Sequence, residues 1–317
     1  MSARPAIVVL TPLKNDAWIL RRFLEVSSLF ADRILIVDEG STDDSREICA
    51  EFEKVTVIDN PAREYDEGSR QQLLIRTARE LVPMPRILVA LDPCEILAAS
   101  SMSSRGWQAV LSARPGTVLF CEKPNLYLSP FTCERRPLDF AGGFVDDGAA
   151  ELAALRIHSP RLPIPTGASH LTLGDVKFLD YGLVRPAAQK ARFRLYAALE
   201  NVLGTKTLWK RRHEYWSRRA LRATGPLVPT PREWYDAWES RGIDMHTVRD
   251  VAPYWEDLAT LELLLEHGSR RFWYDDVWEK DWNQFIVSIG RIARVQPPPM
   301  PVRFAIDTAQ RVLESLR

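Results

Sequence analysis

Arg33-Ile34-Leu35-Ile36-Val37-Asp38-Glu39-Gly40-Ser41-Thr42-Asp43 is the stretch that decides the fold of this chain. Its first five residues include four apolar ones in a row, as in a strand buried on both faces, and polar turn residues follow at once. Ser41, with Asp44 three residues on, is a helix-start signal. Ile48, Cys49 and Phe52 give the next helix a buried face, and Val55–Ile58 is another strand. Upstream, Ala6–Leu10 is a continuous apolar strand, and Asn15-Asp16 can cap a helix. Ile19, Phe23, Val26 and Phe30 recur at spacings of four, three and four, which makes one apolar stripe. Downstream, Gly68 to Leu81 is a helix stopped by Pro83 and Pro85, and Ile87–Leu91 is a strand ending at Asp92. The order β-α-β-α-β-α-β predicts an α/β fold, a Rossmann-like and mostly parallel sheet with helices on both faces.

In such sheets ligands sit at the carboxyl ends of the strands. Lys14-Asn15, Asp38-Glu39, Asp59-Asn60 and Asp92 all fall there. No G-x-G-x-x-G follows the first strand and no G-x-x-x-x-G-K-S/T occurs, which disfavours a dinucleotide site and the common phosphate loop. Forty-two Lys and Arg balance 42 Asp and Glu, so bulk nucleic-acid binding is not expected. The four cysteines form no C-x-x-C pair, against a zinc site or a disulfide framework. No apolar run approaches the roughly 18 residues of a membrane span. The N-terminal run is too short for a signal-peptide core, so a cytoplasmic protein is expected, with peripheral contact at the inner membrane face also open.

Val9-Leu10-Thr11-Pro12-Leu13-Lys14-Asn15 is similar to the first strand and Lys/Arg-Asn turn of family 2 glycosyltransferases. Ile34 to Asp43 resembles that family's "V-D-D/N-G-S-T-D" signature. Leu88-Val89-Ala90-Leu91-Asp92-Pro93-Cys94-Glu95 stands where the family has "L-D-A-D-E", and Gly68-Ser69-Arg70-Gln71 is similar to its "G-x-x-R-N" helix start. These segments cover about the first hundred residues. Looser pieces resemble a bacterial subgroup: Gly143–Gly148, Ile157-His158-Ser159-Pro160-Arg161, His267-Gly268, Phe272 and Asp276–Trp282. The resemblance implies a GT-A fold and an inverting transfer from a nucleotide-diphosphate sugar to a saccharide or lipid-linked acceptor. It makes Thr11, Lys14, Asn15, Asp38, Glu39, Arg70, Asp92 and Lys190 candidates for binding the nucleotide-sugar, with Asp38 reading the base.

Charge builds on the diphosphate leaving group in such a transfer, and a divalent cation or fixed cationic groups must neutralise it. Hard cations favour carboxylate ligands. Asp92 and Glu95 are the metal candidates, with Cys94 and Asp180 as further ones. Here the chain departs from the family, because Cys94 replaces the second Asp of D-x-D and Asp180 stands where the subgroup commonly has His. A rearranged Mn2+ or Mg2+ site and metal-independent transfer both stay open. So does a second reading, a GT-A-like nucleotide-sugar-binding protein that has lost catalysis. A nucleotidyltransferase of similar architecture wants a glycine- and arginine-rich loop after the first strand, which Thr11–Lys14 does not supply. An inverting enzyme also needs a base for the acceptor hydroxyl. Asp146 and Asp147 are the candidates, beside Gly142 and Gly143, whose lack of a side chain admits close approach.

Each motif has a plainer reading as well. Asp38–Asp43 and Asp92-Pro93 can be simple turns, Cys94 a small buried hydrophobe, and Arg70 a solvated side chain. Residues 185–222 hold eleven Lys and Arg against two Glu, a local charge of +9 on an amphipathic helical pattern. That is a solvated face, a contact for an anionic membrane or lipid-linked acceptor, or a place from which Lys190 or Arg194 reaches the diphosphate. The tryptophans cluster after Trp209, too many for all of them to be core anchors, and an acceptor wall or an oligomer contact would use the rest. The expected division is a catalytic domain over 1–182 and a helical, Trp-rich region over 183–317.

Overall fold

A computed structural model describes residues 4–60, 66–135, 140–149, 161–216, 223 and 225–315. The first four strands are β1 (Ala6–Leu13), β2 (Arg33–Asp38), β3 (Val55–Asp59) and β4 (Arg86–Ala90). Between them run α1 (Ala17–Phe30), α2 (Ser45–Ala50) and α3 (Glu67–Leu81). β1 lies between β2 and β4, all parallel, with Leu13 opposite Asp38 and Leu10 opposite Ala90. This is the expected parallel sheet. Alternate residues divide its two faces: Ile7, Val9, Ile34 and Ile36 pack with α1, while Val8, Leu10, Leu35 and Val37 pack with Leu74, Ile75 and Ala78 of α3.

The sheet then extends beyond the expected strands. After β5 (Glu95–Leu97) and α4 (Arg105–Ser112) come β6 (Thr117–Glu122), β7 (Asn125–Leu126), β8 (Thr132–Glu134), β9 (Phe140–Asp146) and β10 (Ser169–Asp180). β9 inserts between β4 and β6 antiparallel to both, and β10 runs parallel to β6. Because β9 runs backwards, its carboxyl end lies at the opposite edge from those of β1, β2, β4, β6 and β10. The expected caps also differ. Asp16 and Asp44 stand at the caps of α1 and α2, yet neither makes a side-chain cap hydrogen bond.

The described residues form two compact units, 1–185 with 223–249, and 186–222 with 250–317. The expected division put 223–249 with the helical region. Instead, Trp234, Tyr235, Trp238 and Met245 are buried in the α1-side core, the Trp238 indole donates to the Leu97 carbonyl, and a short strand β11 (Leu227–Pro229) pairs with β8. The second unit is helical, with α5 (Pro186–Leu203), α6 (Leu208–Glu214) and helices at Trp255–Glu266 and Trp282–Ser288. Its core includes Leu261, Phe272, Trp278 and Trp282. Four of the tryptophans held in reserve for an acceptor wall are therefore core anchors: Trp234, Trp238, Trp278 and Trp282. No helix among the described residues is long and apolar enough to cross a membrane.

Candidate functional site

At the carboxyl edge the first two signatures interlock. Asn15 takes the left-handed backbone conformation (φ 55°), and its side-chain oxygen accepts from the Thr42 N–H at 2.6 Å and the Asp43 N–H at 3.3 Å. Its own N–H donates to the Ser41 hydroxyl, 3.0 Å away. The Lys14 ammonium donates to the carbonyls of Glu39 (2.5 Å) and Gly40 (2.8 Å). These two residues tie the turn after β1 to the turn after β2.

Asp38 is a correction to the expected reading of the base. Its side chain is fully buried: one oxygen accepts from the Ser41 N–H and hydroxyl, and the other lies 3.3 Å from Arg46. The carboxylate that solvent reaches here is that of Glu39, 20% exposed, which pairs with Arg70 at the start of α3 at 3.0 Å. The alternation of the strand explains this, since residue 38 points to the α1 face and residue 39 to the α3 face. The Thr11 hydroxyl, on β1 between them, is buried without a hydrogen-bond partner.

Across β1, at the ends of β4, β6 and β10, lies a charged cluster. The Arg161 guanidinium donates to Asp92 Oδ2 and to Glu95 Oε2, both at 2.6 Å. Lys123 donates to Glu95 Oε1 at 2.8 Å and stands 3.6 Å from Asp180. Glu95 Oε2 also accepts the Asp92 N–H at 2.9 Å. Glu95 and Asp180 are cross-strand neighbours on β5 and β10. Burial opposes the charge on Glu95, but Arg161 and Lys123 hold its carboxyl down at about 2. Burial likewise opposes the charge on Arg161, and Asp92 and Glu95 more than offset it, raising its pKa. Asp92, Glu95 and Asp180 thus lie in one cluster. Cys94 is buried beside them, as part of the apolar core that includes Leu91 and Ile96, and near enough to Arg161 to act on its charge. Lys123 and Arg161 were not among the expected site residues. A lysine at the end of the fifth long strand was a usable signal for the first. Arg161 lies 69 residues from Asp92, and its one signal was its place at the end of the resembling segment Ile157-His158-Ser159-Pro160-Arg161.

The structure separates the expected bases from this edge. Asp146 ends β9, opposite Arg86 at the start of β4. Its carboxylate is fully buried between Arg79 (2.8 Å) and Arg86 (2.6 Å). Burial disfavours its charge, yet the bonds from both arginines and from the Gly148 N–H hold it below the ordinary carboxylate range. Asp147 follows at the same far edge, where one of its oxygens accepts the Ala149 N–H. Gly143 also has another reason to be glycine. It opposes Leu119, and a Cβ there would stand 2.8 Å from a Leu119 methyl.

Lys190 belongs to the second unit, 3.9 Å from Glu279. Four carboxylates distant in sequence offset part of the +9 segment. Arg192 meets Glu256, Arg194 meets Asp257 and Glu279, and Arg211 meets Asp275, while Lys206 pairs within the segment with Glu200 and Glu214. These pairs lower the positive excess of the segment's described residues without cancelling it. Arg218, Arg219, Arg222 and His158 lie outside them.

A divalent cation needs several free oxygen ligands. Both oxygens of Glu95 and one of Asp92 are taken by cationic side chains, and the Cys94 thiol is in the core. Among the described residues no three His, Cys, Asp or Glu are arranged to hold a metal ion. The described residues do not fit one.

Several known proteins are similar to this chain. No curated protein matches it. Among solved structures it is similar to 4-diphosphocytidyl-2C-methyl-D-erythritol synthase, at 14% identity and a TM-score of 0.38 over 55% of this chain and 91% of that one. It is also similar to glucosyl-3-phosphoglycerate synthase from Mycobacterium tuberculosis in complex with Mn2+, UDP and glucosyl-3-phosphoglycerate, at 18% identity and a TM-score of 0.27. That match covers 39% of this chain and 44% of the synthase, less than half its length. Residues 8–79 match the family model described as Glycosyl transferase family 2. That segment runs from β1 into α3, so the sequence pattern of the family lies on the strands and turns that carry Lys14, Asn15, Asp38, Glu39 and Arg70.

Proposed function

We propose that the chain is an inverting glycosyltransferase acting on a nucleoside-diphosphate sugar and a saccharide or lipid-linked acceptor. One observation carries this reading: the family 2 pattern of residues 8–79 falls on the same strand edge as the Asp92–Arg161–Glu95–Lys123 cluster. The nucleoside lies toward Glu39 and Arg70, and the diphosphate toward Arg161 and Lys123. The acceptor oxygen forms a bond to the anomeric carbon as the bond from that carbon to the diphosphate oxygen breaks. The electron pair leaves with the diphosphate, and a base takes the hydroxyl proton. Asp180 fills that role better than Asp146 or Asp147. It ends β10 on the correct edge and its side chain is 21% exposed. Arg161 and Lys123 stabilise the charge that develops on the leaving group.

A second reading, a nucleotide-sugar-binding protein without turnover, draws support from the removal of both expected bases to the far edge. Thermal midpoints of the full chain with UDP, GDP and their sugars, together with donor consumption, separate the two. We expect a raised midpoint with one nucleotide, and slow donor hydrolysis. Asp180→Asn should lower turnover by about a hundredfold or more while keeping the midpoint rise. A rise with no hydrolysis by the native chain would favour the binder.

A further inference from the structure

This inference rests on the glycosyl-transfer reading and concerns how the diphosphate is held. We propose that the Arg161 guanidinium, supported by Lys123, stands where a divalent cation would bridge carboxylate and diphosphate, and binds the donor diphosphate directly, so that donor binding needs no divalent ion.

The geometry supports a permanent cation. Arg161 spans Asp92 and Glu95 with two N–H groups, each at 2.6 Å. A guanidinium carries five N–H donors. Among the described residues no acceptor takes the other three, and the side chain is 31% exposed. Its planar fork suits two phosphate oxygens at once, which an ammonium does not. The position is fixed from below, because the next residue, Leu162, is buried in the α3-side core with Leu10, Val37 and Phe144. Lys123 is held between Glu95 and Asp180 and over the Phe140 ring, with its side chain 26% exposed. A metal ion would have to displace both cations from Glu95, against strong repulsion at these distances.

The charges also suit the reaction. Asp92, Glu95 and Asp180 against Arg161 and Lys123 leave one net negative charge at rest. If Asp180 takes the acceptor proton, the cluster becomes neutral as negative charge grows on the leaving diphosphate. The stabilisation is then larger in the transition state than in the bound donor complex.

The test uses the full chain, UDP and GDP, and either excess EDTA or Mn2+, with nucleotide affinity read from thermal midpoints and calorimetry. Native protein should show the same nucleotide affinity in EDTA as in Mn2+. Arg161→Lys, which keeps the charge and loses the fork, should weaken nucleoside-diphosphate binding at least tenfold and nucleoside-monophosphate binding far less. Arg161→Ala should gain Mn2+ binding, seen as loss of the free-ion electron paramagnetic resonance signal, where the native chain has none. Nucleotide binding that appears only with Mn2+, or Arg161→Lys binding as tightly as native, would overturn this inference and leave the glycosyl-transfer reading standing. No nucleotide binding in either condition would overturn both.

Discussion

Two ion clusters sit at opposite edges of the same sheet, and each places a buried carboxylate between two cations. At the far edge Asp146 is clasped by Arg79 and Arg86, and its carboxylate is closed to solvent. At the carboxyl edge Glu95 is clasped by Arg161 and Lys123, but Asp92 and Arg161 are each about one-third exposed. Both are buried salt bridges, and local chemistry alone does not distinguish them. Strand direction does. Parallel strands deliver polar residues to one edge, where loops leave room for a ligand. β9 runs against them and delivers its aspartate into a closed layer between α3 and β4. The carboxyl-edge cluster can turn unused donors toward an anion, and the far-edge cluster serves the fold.

Three measurements would break or sharpen this contrast. The largest effect is expected at Asp146. Asp146→Ala strands two arginines, one of them 5% exposed, and should cost about 3–5 kcal/mol in urea unfolding. Nucleotide affinity of the folded fraction should be unchanged, and a selective loss of turnover at native stability would restore Asp146 to the chemistry. Next comes acid sensitivity. The Glu95 carboxyl sits at about 2 instead of 4.5, a depressed value, so its contribution is complete above about pH 4.5 and fades as pH falls toward 2. It amounts to roughly 3 kcal/mol. Stability followed from pH 6 down to about 2 should fall less steeply in Glu95→Gln than in the native chain. Parallel acid limbs would mean that Glu95 is not held ionised by its neighbours. The smallest effect tests the uncharged part of the same edge. Asn15→Ala removes the bonds to Thr42 and Asp43 at a left-handed residue and should cost about 1–2 kcal/mol in urea unfolding at neutral pH.

The first four strands were legible because each is an apolar run closed by a polar turn, and the helices between them carry one stripe each. β9 was not, because Gly142 and Gly143 looked like room for an acceptor and Asp146-Asp147-Gly148 like a loop. Those glycines sit in a strand, and Gly143 makes room for Leu119. The sequence carried no sign of the strand's antiparallel direction, which sets Asp146 and Asp147 at the far edge. In the site, Asp92 could be placed by its strand-end position, and Glu95 and Asp180 by the resembling segments that hold them. Asp38 could be found but not oriented, since its role depends on which face it points to. Arg161 reaches its partners only through the fold, and the partial offset of the +9 segment was hidden because Glu256, Asp257, Asp275 and Glu279 come later in the chain.

The return of residues 223–249 to the first unit bears on how that unit is made. Its α1-side core receives Trp234, Trp238 and Met245 only after the ribosome has passed a stretch belonging to the other unit. The Tyr181 hydroxyl waits for the Met245 carbonyl over the same interval. A gene fragment cut at residue 185 would therefore encode an unfinished domain with raw apolar surface, and the shorter product would need residues 223–249 grafted back to become soluble.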